Sequence, residues 1–476
     1  MPIRIRPSRA SSESRASKDG AQPDNRLALM DHALYAQHRA IGRNVVIQVV
    51  WIYDQVIDFD GVRRFNANLG YGLAGRRIER SPLPFGRYRW VAVPGPLDID
   101  IAHSARPRTE LSDWADECSQ MPTDPECGPG WRINVLPLTD GATAVSLVIS
   151  HYLIDGFGLA LTIADAVLDN RRDHCYPPPR TRSQLGAVLQ DARRTAQDVP
   201  AAARALAATA RLARGRQQNG GTPASRPVTV RGGDGDDVVV IPVITAHIDR
   251  DDWDGRAKAL GGTSDTLVAG LAAKLGERMG RRRAGDGTVT LQLPISERTE
   301  DDTRAIAVSY ARLSVDPTGI TTDLRAVRVA IKQALKTLRE TPDESLQLLP
   351  LAPFTPQWAM KRMADAMVVD PDLPVFCSNL GDLGPLVYAL TRTEAEYANV
   401  TAALNTLHLI RVIGQGVTRQ WLERSRGQMT LQSWRIGDKI AITVGAYQPG
   451  VENTKLALRD RVAQTLAEFG LTGAIE

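Results

Sequence analysis

Apolar and polar positions change their spacing in a regular way along the chain. Residues 44–53 (NVVIQVVWIY) form a short, β-branched, nearly unbroken apolar run, which predicts a buried strand. Asp60 is then placed to cap a helix whose Val62, Phe65 and Leu69 share one face. Residues 131–137 and 142–150 read as two strands flanking Asp140-Gly141, a hairpin signal. From Asp155 the period turns helical, with Ala160, Ile163, Ala164 and Val167 on one stripe. The later chain repeats the alternation. Strands are predicted at 238–246, 288–294, 306–315 and 375–380, and helices at 265–279, 324–339 and 455–469. A hairpin over 429–447 turns at Gly437-Asp438.

Residues 177–237 interrupt this pattern. Pro177-Pro178-Pro179 opens the stretch, an Ala/Arg-rich helix covers 201–214, and glycines at 220–221 and 232–235 close it, so it reads as a linker. The expected organisation is a disordered, Ser/Arg-rich tail (1–26), a first half (27–176), the linker (177–237) and a second half (238–476). Mixed α/β content in each half predicts two sheets with helices packed on them and a ligand cleft between.

A chain of 476 residues exceeds one ordinary core, in keeping with two halves. Its 43% hydrophobic and 24% charged content is that of a soluble globular protein. The net charge of +4 is too small to argue for nucleic acid, and the sparse aromatics make no base-stacking surface. The apolar runs are too short to span a bilayer. The basic helix suits a solvated connector, with peripheral contact to anionic lipid or an acidic partner as the alternative. Cys118, Cys127, Cys175 and Cys377 show neither zinc-ligand nor disulfide-framework spacing, which fits a reduced, cytoplasmic compartment.

The chemistry centres on His151. By the two-residue period it shares the side of Val145, Leu147 and Ile149 and so ends a buried strand facing inward. Asp155 stands at the helix entry, and Gly156 lets the backbone bend there. An imidazole held in a tight strand-to-helix turn suits proton abstraction from a hydroxyl or amine. A core histidine, a plain helix cap and a relaxed turn are the structural alternatives.

Residues 111–167 resemble the active-site region of the condensation-domain superfamily of acyltransferases. That superfamily includes chloramphenicol acetyltransferase, carnitine acyltransferases, plant BAHD enzymes, nonribosomal peptide condensation domains and bacterial wax ester synthases. Its HHxxxDG motif is matched by Ser150-His151-Tyr152-Leu153-Ile154-Asp155-Gly156. Further segments are similar to the wax ester synthase/diacylglycerol acyltransferase branch and to polyketide-associated acyltransferases. These are Trp131-Arg132 before the hairpin ("plW"), 263–269 ("NDVVLA"), 293–298 ("vPvslR") and 377–381 ("SNvpG"). In the order of the family, they cover most of 27–470.

The resemblance implies an α/β (α+β) fold of two similar halves, like chloramphenicol acetyltransferase, with an active-site tunnel between them. It implies acyl transfer from a CoA or carrier-protein thioester to a hydroxyl or amine, with a lipid-like substrate, His151 as general base, and neither metal nor cofactor. Asp155 would pair with an arginine, for which Arg298 is the candidate. Ser378 and Asn379 are candidates for holding the oxyanion or lining the tunnel, and they equally suit a simple turn. Ser150 replaces the first motif histidine, and Ser264 replaces the asparagine of "ND". The alternative is a non-catalytic relative that binds a lipid, a carrier protein or an enzyme partner. Ser150 favours it, and the retained His151, Asp155 and Gly156 argue against it.

Overall fold

The computed structural model describes residues 24–54, 57–218, 237–299, 301–341, 344–366, 370–382 and 407–476. The first part of the chain forms α1 (Leu29–Ile41), β1 (Asn44–Tyr53), α2 (Phe59–Leu69), β2 (Arg76–Glu79), β3 (Arg89–Ala92) and β4 (Ile99–Ile101). It continues with α3 (Leu111–Gln120), β5 (Trp131–Pro137), β6 (Thr143–Ser150), α4 (Gly156–Val167) and α5 (Gln184–Gln218). There follow β7 (Val243–Asp249), α6 (Arg250–Ala259), α7 (Ser264–Arg278), β8 (Val289–Ser296), β9 (Val308–Val315) and α8 (Arg325–Glu340). Last come α9 (Gln357–Ala366), β10 (Val375–Asn379), β11 (Leu407–Gln415), β12 (Gln428–Ile436), β13 (Lys439–Tyr447), a helix at Lys455–Glu468 and β14 (Ala474–Ile475).

The apolar run of β1 is nearly unbroken because both of its faces are covered. Ile47, Val49 and Trp51 enter the core shared with α1, α2 and α4, whereas Val46, Val50 and Ile52 pack with Leu111, Trp114 and Ala115 of α3. The five-stranded sheet has the order β11-β1-β6-β5-β4, antiparallel except for the parallel β4–β5 pair. The seven-stranded sheet has the order β14-β7-β13-β12-β10-β8-β9, with parallel pairs at β12–β10 and β10–β8. Two mixed sheets in an α/β chain are the fold class expected from the sequence. The hairpin between β5 and β6 turns at Asp140-Gly141, where Gly141 takes φ 89°, a left-handed conformation open to glycine.

Several local expectations shift. The α2 cap is Asp58, whose carboxylate accepts the Asp60 amide, although Val62, Phe65 and Leu69 are the buried face as read. On α4, Ala164 and Val167 are only half-buried, and Leu159, Ala160, Ile163 and Ala166 carry the burial. The strand expected at 238–246 begins at Val243 because Pro242 has no N–H to give a ladder; Val238 instead bridges Thr418. The helix expected at 201–214 starts at Gln184 and is docked on the first half. There Asp191 takes Arg182 and the Ser81 hydroxyl, and Asp198 takes Arg26. Asn25 is also docked, its amide donating to the Trp90 carbonyl, so the ordered chain begins inside the expected tail. Residues 1–23 of that tail and the glycines at 220, 221, 232, 233 and 235 lie outside the described residues. Among the described residues no helix is long and apolar enough to cross a membrane.

Strands β2, β3, β4, β11 and β14 were absent from the sequence reading, and β11 bears most on the site. β11 comes from late in the chain, yet it pairs along most of β1, from Asn44↔Gln415 to Trp51↔Leu407. Its Arg411 is buried in the five-stranded sheet, donates Nε to Gln48 Oε1 at 2.7 Å and pairs with Asp116 at 2.7 Å. Gln48 in turn donates to Ser146 Oγ and the Ala115 carbonyl. Arg411→Ala leaves Gln48 and Asp116 short of an interior donor. A loss of about 3 kcal/mol is expected, read as a lower urea midpoint; an unchanged midpoint would show the Arg411 charge to be dispensable.

Candidate active site

β6 ends at Ser150, one residue before the histidine expected on it. Ser150 is fully buried, with its hydroxyl 3.5 Å from Asn44 Oδ1. His151 starts the turn that follows and is half-buried, unlike Leu147 and Ile149, with which it was expected to align. Its backbone N–H still continues the β1 ladder, donating to the Val45 carbonyl at 2.8 Å.

The turn then fixes the imidazole. His151 Nδ1 lies 2.9 Å from the Ile154 carbonyl oxygen. A carbonyl only accepts, so Nδ1 carries the proton in the neutral ring and Nε2 keeps its lone pair. Beside it, Tyr152 is buried with its ring 5.2 Å from His38 and 5.4 Å from Tyr35 of α1. Burial pushes His38 down to about 4, helped by the charge of Arg43.

Asp155 caps α4 and is buried, as is its partner Arg298 from beyond β8. Arg298 Nε donates to Asp155 Oδ1 at 2.9 Å and Nη2 to Oδ2 at 2.7 Å. The Gly158 and Ala307 amides fill the remaining acceptor positions, at 2.7 and 2.8 Å. Arg298 also donates to the carbonyls of Asp302, Arg304 and Ala305, so it grips the loop between β8 and β9. Two further buried charges hold the same loop. Asp31 of α1 accepts the Ala305 and Ile306 amides; its burial pushes the carboxyl upward, against those amides and the charges of Arg76 and Arg298. Arg76 of β2 donates to the carbonyls of Thr303 and Leu153 and stacks on Trp90 at 3.7 Å. Burial brings Arg76 down to about 10.

The glycine the turn needs is Gly158, not Gly156. A Cβ on Gly156 would meet Leu380 at 3.8 Å, an ordinary contact, and Gly156 has no left-handed backbone. A Cβ on Gly158 would lie 3.0–3.1 Å from Arg298 Nε and Cζ and from Asp155 Oδ1. Ser378 is buried on β10, opposite Gln432 in register. Asn379 commits both ends of its amide: Nδ2 donates to Asp265, and Oδ1 accepts the Gly381 amide at 3.0 Å. That is the turn geometry, and it joins two of the family-like segments, 263–269 and 377–381. Ser264 accepts from the Trp253 indole at 2.9 Å, so it too is a packing residue here. Leu380, the residue after Asn379, packs against the core that contains Ile154 and Leu159.

No family model matches the sequence, and no curated protein matches it. Solved structures do. The first condensation domain of the CDA synthetase superposes with TM-score 0.54 at 14% identity, covering 95% of this chain and 99% of that one. The first condensation domain of the calcium-dependent antibiotic synthetase in complex with substrate analogue 2a gives TM-score 0.54 at 16% identity, over 94% and 97%. This chain has the condensation-domain fold. Within that fold, Asp31, Arg76, His38 and Gly158 are the site residues that sequence reasoning missed. Asp31 is followed by His32, and Arg76 by Arg77, so each sits in a local pattern indistinguishable from a surface face. The α1 histidine approaches only through tertiary packing.

Removing Asp155 leaves Arg298 and two amides without their acceptor. Asp155→Ala is expected to cost about 3–5 kcal/mol, and Gly158→Ala, by crowding the pair, about 1–3 kcal/mol. Melting curves of both variants check this; an Asp155→Ala protein that melts like the wild type would remove the ion pair from its structural role.

Proposed function

We propose that the protein is an acyltransferase that moves an acyl group from a thioester to a hydroxyl or amine, with His151 as general base. The observation that carries this reading is the Nδ1 contact with the Ile154 carbonyl, which leaves Nε2 as a free base on a half-exposed ring. The acceptor oxygen or nitrogen attacks the thioester carbonyl while its proton passes to Nε2. The tetrahedral oxyanion then collapses, the C–S bond breaks, and the thiolate takes the proton back from the imidazolium. Ester or amide and free thiol leave, and His151 is restored as it began. Asp155 takes no proton in this scheme; it positions the turn through Arg298.

Support for the reactants comes from two likenesses. The structural neighbours are condensation domains of a peptide synthetase, which favours a thioester held on a carrier protein, with CoA as the other donor. The motif segments similar to wax ester synthases favour a lipid-like substrate. Both would meet in a tunnel between the sheets, with Ser378 and Asn379 in its wall; Asn379 Nδ2 gives one N–H to Asp265 and has a second to offer an oxyanion.

His151→Ala is expected to lower acyl transfer by about 10² to 10⁴ and to leave the melting temperature within a degree or two of the wild type, since a half-buried ring contributes little, about 1 kcal/mol. Thiol release from acyl thioesters, measured against a panel of alcohols and amines, reads this directly. Equal turnover in wild type and variant would sink the assignment, and no turnover by the wild type with any pair would favour the non-catalytic, binding reading.

A further inference from the structure

A second cluster of ligating side chains lies far from His151. His247 of β7, His408 of β11 and Glu476 each present a ligand atom, and these atoms all lie within 4.8 Å of one another. His408 Nε2 is 3.3 Å from Glu476 Oε2, and the two imidazole centroids are 5.9 Å apart. Ligand atoms around a tetrahedral zinc ion, at 2.0–2.1 Å from the metal, lie about 3.3 Å from each other. One edge of such a polyhedron is therefore already formed, and the other two close with a small movement.

The backbone prepares all three groups. In the β1–β11 ladder the register jumps from Val50↔Leu409 to Trp51↔Leu407, so His408 is the extra residue of a bulge. Bulges re-aim a side chain out of the ordinary alternation. Glu476 exchanges both backbone hydrogen bonds with Thr245, each 2.9 Å, which sets it diagonally from His247 on the same face of the seven-stranded sheet. His247 itself is opposite Ala474 of β14 and Ala441 of β13. The neighbouring cations Arg108 and Arg411 carry their own carboxylates, Asp140 and Asp116.

We propose that His247, His408 and Glu476 bind a divalent transition-metal ion, of the zinc class, that pins the two sheets together. Two imidazoles and one carboxylate suit zinc or cobalt better than magnesium or calcium, which prefer all-oxygen sites. His408 belongs to the five-stranded sheet and His247 to the seven-stranded one, so the ion joins strands that share no ladder. The role is structural. His151 meets β1 at Val45 and His408 meets it near Trp51, about 20 Å away at 3.3 Å per residue, so this site stands apart from the acyl-transfer reading.

Co2+ titration of the full chain tests it. The wild type is expected to bind a single Co2+ with visible d–d absorption, to lose that absorption when Zn2+ is added, and to melt higher with Zn2+ than with EDTA. His247→Ala and His408→Ala are each expected to weaken binding by roughly tenfold or more. Glu476→Gln, at an exposed position that leaves the cores untouched, weakens it too and keeps the test valid if either histidine variant fails to fold. Absence of Co2+ and Zn2+ binding by the wild type, or an affinity unchanged from the wild type in all three variants, overturns the proposal.

Discussion

The arrangement at His151 depends on one buried ion pair. Asp155 and Arg298 lie 143 residues apart, and each is almost wholly removed from water. Such a pair contributes little net stability, because desolvation offsets most of the attraction. Its value is positional. Each carboxylate oxygen accepts two hydrogen bonds, and the guanidinium plane extends the same rigid geometry to three carbonyls of the β8–β9 loop. Any slip of that loop strands a charge, so the turn that holds the Ile154 carbonyl, and hence the tautomer of His151, has a single low-energy position relative to the second half of the chain.

Asp31 and Arg76 extend this constraint rather than duplicate it. Asp31 fastens the loop to α1, the helix that also carries His38 and Tyr35 beside Tyr152. Arg76 fastens it to Leu153, inside the turn itself. Four charged side chains from four elements thus bear on one loop and one turn. A cluster of this kind specifies an arrangement more than it adds stability, since removing any one member leaves another unmatched.

Much of this was legible in the sequence, for local reasons. β1, the β5–β6 hairpin and the β12–β13 hairpin announce themselves because period and turn residues coincide within a few positions. Asp155 reads as a cap because the helix beginning at Gly156 follows it directly, whereas Arg298 came only from the family resemblance. What failed was what local pattern does not encode. Gly156 drew attention as the motif glycine, while the crowding that demands a glycine at 158 comes from Arg298, far away in the chain. β11 has no turn partner near it, because its ladder is with a strand some 371 residues earlier. His247 and His408 are ordinary strand residues until a bulge and a third strand bring them together.

The crossover of β11 also sets the order in which this molecule is assembled. During synthesis the apolar strand β1 emerges before its partners, and β6 covers one of its edges about a hundred residues later. The other edge stays open until residue 415 has left the ribosome. A long, uncovered apolar strand is a template for pairing with other chains, and at ordinary elongation rates it waits for tens of seconds. The chain through β6 is therefore a nascent stretch in need of protection, and a gene cut between β6 and β11 leaves that edge bare.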